Sequence, residues 1–169
     1  MLKKSRIPTP LMGFAHLGAV HAGKTGEQMH ALSIRQDFAS LIAVGEKTIE
    51  WRSWHWAYRG PLIICATKNP KIKMENGVYL PTAAAICIVD MVDCRPFTRA
   101  DLYAACISNK KDGSDFADDV DGYAFVLENA REVEPVPVKG RLRPWIWHGP
   151  KLVPAPGWHA ARYGEKTIF

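Results

Sequence analysis

Lys47, Glu50 and Arg52 stand close together in the stretch GEKTIEWRSW. An ammonium, a carboxylate and a guanidinium at this spacing suit two kinds of chemistry. Arg52 can grip a phosphate with its planar fork, with Lys47 as a point charge. Glu50 can orient Arg52, accept a base amino group, or act as a general base. A general base needs a pKa raised by burial, and two neighbouring cations push the other way. The electrostatics therefore favour binding over base chemistry. A desolvated Lys47, its pKa lowered by Arg52, is the alternative base, so Lys47 and Glu50 are the candidate catalytic residues. The plainer alternative is a surface set of ion pairs that solvates a strand and adds little stability.

Other candidate ligand contacts flank these three. Trp54 and Trp56 follow the charged residues, and either can stack a nucleobase or pack against the helix or tail. Arg35, Gln36 and Arg59 border the same expected cleft. Gln36 can read a base edge by paired hydrogen bonds, or simply be a polar residue at a helix start. Lys68, Lys71 and Lys73 form a basic loop that can track a phosphate backbone or merely be solvated.

The elements that must hold these residues are legible from period and punctuation. ALSIR alternates as a strand. In QDFASLIAVG, Phe38, Leu41 and Ile42 fall at helical spacing, with Asp37 in the first turn and Gly45 just past the end. TIEWRSW returns to a period of two. Ile49, Trp51 and Ser53 share one face, expected to be the core face for Ile49 and Trp51. Thr48, Glu50, Arg52 and Trp54 share the other. Lys47 sits at the bend, where alternation does not fix its direction.

HWAYRG reads as a loop, and PLIICAT and TAAAICIVDMVDC as buried strands. TRADLYAAC reads as a short helix with Thr98 as N-cap and Asp101 three residues on. YAFVLEN is a strand, REVEPVPVKG an edge strand or extended loop because of Pro135 and Pro137, and RLRPWIW a last short strand whose Trp145 and Trp147 share a face. The order β-α-β-β-β-α-β-β lacks sustained strand–helix alternation. It predicts a small antiparallel or mixed α+β barrel of about six strands, not a doubly wound sheet.

The chain has 169 residues, 47% hydrophobic and 23% charged. This fits one globular domain with additions at its ends. We expect a flexible or loosely docked extension over residues 1–29, a domain over 30–149 and a tail over 150–169, with Met29 as an alternative start. No run reaches the roughly 18 apolar residues of a membrane span. Pro8 and Pro10 break the N-terminal segment as a signal-peptide core, so the expectation is a cytoplasmic protein with no membrane partner.

The four cysteines include no C-x-x-C pair, and the six histidines do not cluster with them. We expect buried free thiols, no metal site and no cofactor. The net charge of +5 permits an anionic partner such as nucleic acid. GAVHAGKT (Gly18 to Thr25) fits the phosphate-loop pattern, but that loop works only between a buried strand and a helix. With neither expected there, it reads as coincidence, as does a magnesium role for Asp90. The acidic DGSDFADDVDG lacks the order of a calcium loop and reads as solvated.

The pattern G-x-K-x-x-E-x-R at Gly45 to Arg52 is accompanied by SIRQ before the helix, by RGPL at Arg59 to Leu62 and by VKGRLRPWIW. Together these resemble the ASCH domain of the PUA-like superfamily over roughly Ala31 to Trp147. The resemblance implies a closed, curved β-barrel with a cleft beside the helix after the first strand, and RNA or a nucleoside as ligand. Some similar bacterial members are amidohydrolases of N4-acetylcytidine that use a lysine, a threonine and a glutamate, and others have been described as ribonucleases. Lys47 matches the amidohydrolase lysine and Arg52 its arginine, while Glu50 stands at the nucleophilic threonine. A carboxylate does not replace a hydroxyl nucleophile. That moves the reading from hydrolysis toward recognition, with the amidohydrolase or ribonuclease as the alternative.

Overall fold

The structure, a computed structural model, describes residues 28–110 and 121–159. The Gly18–Thr25 pattern, nearly all of the 1–29 extension, most of the acidic run and the end of the tail lie outside them. The described chain runs β1 (His30–Ile34), α1 (Gln36–Ala43), β2 (Ile49–Arg52), β3 (Gly60–Ala66), β4 (Ala84–Pro96), β5 (Tyr123–Pro137) and β6 (Trp145–Ile146). One mixed sheet contains all six strands in the order β2-β5-β4-β3-β1-β6. β1 and β3 are parallel, and the other pairs are antiparallel.

The predicted barrel is not closed by backbone pairing among these strands. β2 and β6 are the outer strands, and each pairs only inward. β2 has four residues and β6 two, too short to build a closing ladder. Side chains span the seam instead. An Arg52 terminal nitrogen donates to the Ser33 carbonyl of β1 at 2.9 Å, and His30 of β1 meets the rings of Trp56 and Tyr58 at 5.4 and 4.4 Å.

The core follows from the apolar runs. Leu62, Ile63, Ile64 and Cys65 of β3 are all buried, because α1 covers one face of the sheet and Trp145 and Leu152 cover the other. The thiols of Cys65, Cys87 and Cys94 are free and buried, and burial pushes Cys65 up to about 12. β5 is one strand through Pro135 and Pro137. β2 pairs only with residues 123–126, residues 132–134 bond to the 153–155 segment, and the two prolines fall in the last three residues of the strand.

The second predicted helix is only a 3-10 turn at Arg99–Asp101. Its cap is as expected: the Thr98 backbone N–H and hydroxyl donate to Asp101 Oδ2 at 2.8 and 2.9 Å. Part of the described segment 150–159 packs into the core. Leu152, Trp158 and His159 are buried, and Ala155 N–H donates to the Glu132 carbonyl. No helix among the described residues is long and apolar enough to cross a membrane.

Candidate functional site

The end of α1 aims Lys47. Gly45 sits just past the helix at φ +80°. Its N–H donates to the Ile42 carbonyl and that of Glu46 to the Leu41 carbonyl, forming the left-handed stop that glycine favours. The reversed chain sends the Lys47 side chain inward, where it is only 2% exposed. Lys47 Nζ donates to the carbonyls of Ile49 at 2.7 Å and Ala105 at 2.6 Å, and lies 3.3 Å from Glu50 Oε2. An ammonium has three protons, and three oxygens surround this one. Burial pulls its pKa below the usual lysine range, against the opposing pull of the Glu50 charge. The ammonium also sits 4.7 Å from the centre of the Phe38 ring.

Glu50 is 7% exposed. Its other oxygen, Oε1, pairs with Arg52 at 3.1 Å. The three residues therefore form one line of alternating charge that starts inside the fold and ends at Arg52. The Arg52 side chain keeps 24% exposure. Its Nε is buried and has no hydrogen-bond partner.

This line reverses half of the expected facing of β2. Ile49 is buried as predicted, against Phe97, Leu102, Ala105 and Ala124. Trp51, predicted to be core, is 37% exposed. The 97–107 cover reaches Ile49 but not two residues further along the strand, which is about 7 Å. The Trp51 indole donates instead to the Asp121 carbonyl and lies against Gly122, where a Cβ would fall 2.6 Å from its Nε1. The charged face of β2 turns inward because Lys47 and Arg52 together neutralise Glu50.

The remaining predicted residues divide into two groups. His55–Arg59 of the expected loop HWAYRG lie outside any strand, Ser53 and Trp54, expected to continue β2, form a bend, and burial alternates along 53–59. Trp54, Trp56 and Tyr58 point inward while Ser53, His55, Ala57 and Arg59 are exposed. Trp56 stacks on Tyr58 at 4.9 Å, and Trp54 meets the Phe125 ring edge-on at 5.2 Å. The Arg143 guanidinium lies over the Trp54 ring at 5.3 Å. Arg35 is exposed, paired with Asp37, and 5.0 Å from the Phe38 ring centre. Trp54, two residues beyond Arg52, thus lies with Arg143, while Arg35 lies on the Phe38 ring that Lys47 also faces.

Gln36 and Arg59 are placed elsewhere. Gln36 is fully buried and donates to Ser40 Oγ and the Pro81 carbonyl. Arg59 ties the 53–59 segment to β4 through Asp93 and the Cys94 carbonyl. Asp90 pairs with Arg131. Among the described residues no three His, Cys, Asp or Glu side chains form a metal-holding group.

Sequence reading missed Phe38, Ser33, Arg143 and a buried relay. His159 Nδ1 lies 2.8 Å from Glu132 Oε1, and its Nε2 lies 3.3 Å from Ser40 Oγ. This has the order of an acid–base–hydroxyl relay, but Ser40 is fully buried within α1 and offers a substrate no approach. Nothing in the sequence pairs residues 119 positions apart. For Arg143 the signal was present as a cluster of basic residues, RLR, beside the last strand. A small cavity of about 100 Å³ lies at the foot of α1, lined by Ile42, Gly45, Lys47, Thr48, Val89 and Leu127 among others. Ligand pockets usually run to ~300 Å³ or more, and of the predicted residues this cavity takes in only Lys47.

Comparison with known proteins matches this architecture. The chain is 29% identical over 132 residues to activating signal cointegrator 1 of Mus musculus, covering 68% of this chain and 21% of that protein. It is 28% identical, with the same coverage, to the Homo sapiens protein. The chain thus spans about a fifth of the length of these curated relatives. A solved ASCH structure from Zymomonas mobilis superposes with a TM-score of 0.52 at 14% identity, covering 72% of this chain and 88% of that one. A single-residue variant of it gives 0.51 at 16% identity. The family model for the ASCH domain matches residues 32–137, from the third residue of β1 to the last of β5. More than half of the chain lies within that match, and the chain belongs to the ASCH domain family.

Proposed function

We propose that this ASCH domain binds RNA, or a modified nucleoside within it, at the outer end of the Lys47–Glu50–Arg52 line. One observation carries the reading. Arg52 is the partly exposed end of a buried charge line, and Trp54, two residues on, lies beneath the Arg143 guanidinium. Arg52 is held by Glu50 and Ser33, so its fork is pre-oriented for a phosphate. Both of these contacts are made by one terminal nitrogen of the guanidinium. Trp54 offers a π-face to a base, with Arg143 and Arg35 as neighbouring positive charge. RNA-related roles are associated with the family.

Lys47 and Glu50 act in this reading as support. Chemistry of the amidohydrolase kind needs one of them to move a proton at substrate. All three Lys47 protons and both Glu50 oxygens are instead engaged within the protein.

Fluorescence anisotropy with a short labelled single-stranded RNA at two salt concentrations tests the proposal. Arg52→Ala is expected to lower affinity at least tenfold. Arg131→Ala, which removes an arginine already paired with Asp90, is expected to change it less than twofold. Equal losses for the two variants would remove Arg52 from the site.

A further inference from the structure

The strand ends beside Arg52 form a second feature. β1 and β3 are parallel, and Ile34, Ala66, Ala84 and Pro137 stand in register across β1, β3, β4 and β5. The chain leaves three of these strands at one end of the sheet as Arg35, Lys68 and Lys139. Backbone bonds from Thr67 to Ile34, Ala83 to Thr67 and Val138 to Ala83 tie the three exits together.

From Lys139 the chain folds back onto β1. A Cβ on Gly140 would lie 2.8 Å from Ser33 Oγ, so only glycine allows this approach without displacement. The next residue, Arg141, donates its backbone N–H to Ser33 Oγ at 3.0 Å. Ser33 thus fixes both cationic groups: its carbonyl holds Arg52, and its hydroxyl holds the Gly140–Arg143 segment.

Several cations at this end lack the carboxylate partners that Arg35 and some arginines elsewhere have. Arg59, Arg95 and Arg131 are each paired with an aspartate. Lys68, Lys139, Arg141 and Arg143 are exposed, and no carboxylate pairs with them among the described residues. Like charges gathered without counter-charges repel, and a polyanion laid across them relieves this. The rim meets the Trp54 face through Arg143. A strand with unstacked bases can serve both features, whereas a duplex keeps its bases stacked.

We infer that the strand-end rim of Lys68, Lys139 and Arg141 is a phosphate-tracking surface, and that the ligand is a single-stranded RNA several nucleotides long rather than a free nucleoside. This rests on the reading that the domain binds RNA, and it adds to the Arg52 site a second surface that contributes affinity.

The test uses the full chain, a ten-nucleotide single-stranded RNA and a nucleoside monophosphate. The triple variant Lys68→Ala, Lys139→Ala, Arg141→Ala is expected to weaken decamer binding at low salt. It should lower the slope of log affinity against log salt by about 2, and leave the monophosphate unchanged. Arg52→Ala should weaken both probes. An unchanged decamer slope in the triple variant, with Arg52→Ala still damaging, overturns the rim and leaves the Arg52 site. A reduced slope in the triple variant, with Arg52→Ala silent on both probes, supports the rim and overturns the Arg52 site. No binding of either probe by the unaltered protein overturns both.

Discussion

The two ends of one short charged stretch differ in what their partners leave free. At the inner end Lys47 is buried and its donors are taken by Ile49, Ala105 and Glu50. At the outer end Arg52 is held by Glu50 and Ser33 through one terminal nitrogen, and its side chain retains exposure. Charge type does not separate them, since both are cations on one carboxylate. The number of donors left over does. A cation whose protons are all engaged is a structural fastener, whereas one with protons to spare can take a ligand.

The largest expected effect breaks the inner end. Lys47→Met leaves Glu50 buried with one cation and removes the donor from two inward carbonyls. Loss of one partner of a buried pair costs about 3–5 kcal/mol. Denaturant unfolding should show it, and a loss below about 1 kcal/mol would mean that Lys47 is not the fastener the contacts describe. At the outer end Trp54→Ala should cost about 1–3 kcal/mol of RNA affinity if a base stacks there. Titration against the decamer reads this, and unchanged affinity would confine the ring to packing against Phe125.

Gly45→Ala tests how the chain reaches the inner end. A Cβ there meets nothing within 4 Å, so the cost is only the strain at φ +80°, about 1 kcal/mol. A neutral melting temperature would show that the stop relaxes without glycine.

The last prediction separates the charge line from the other buried network, His159–Glu132–Ser40. Burial lowers the His159 pKa below its ordinary 6.5, against the opposing pull of Glu132. Below pH 6.5 the unfolded chain therefore takes up a proton more readily than the folded one. The His159 contribution to stability is fully present above pH 6.5 and declines as pH falls through the folded value. Asp37, Asp90 and Asp101 have pKa values held below their ordinary 3.8, so their contribution fades only in stronger acid. Melting temperatures from pH 8 to 5 should fall for the unaltered protein and stay flatter for His159→Gln. Parallel curves would place the titration elsewhere.

Local chemistry was legible wherever the answer depended on residues within a turn of one another. The Phe38, Leu41 and Ile42 stripe forms α1, Gly45 ends it, and Asp101 caps with Thr98. The TRADLYAAC segment shows the limit of this. Its cap formed, but only a 3-10 turn and further turns followed, and Cys106 at φ +54° breaks any continuation as a helix. Trp51 was misread because alternation says which residues share a face, not how far the covering layer extends over it.

The amino-acid sequence by itself determined the stretch that matters: a helix, a glycine stop and a strand carrying Lys47, Glu50 and Arg52 in order. Local bonding and period dictate that much, since each depends on neighbours a few residues away. Only the tertiary structure decided that Lys47 is sealed while Arg52 is open. Ala105 lies 58 residues from Lys47 and Ser33 lies 19 before Arg52. Whether a cation keeps a spare proton depends on which distant carbonyls the folded chain brings to it.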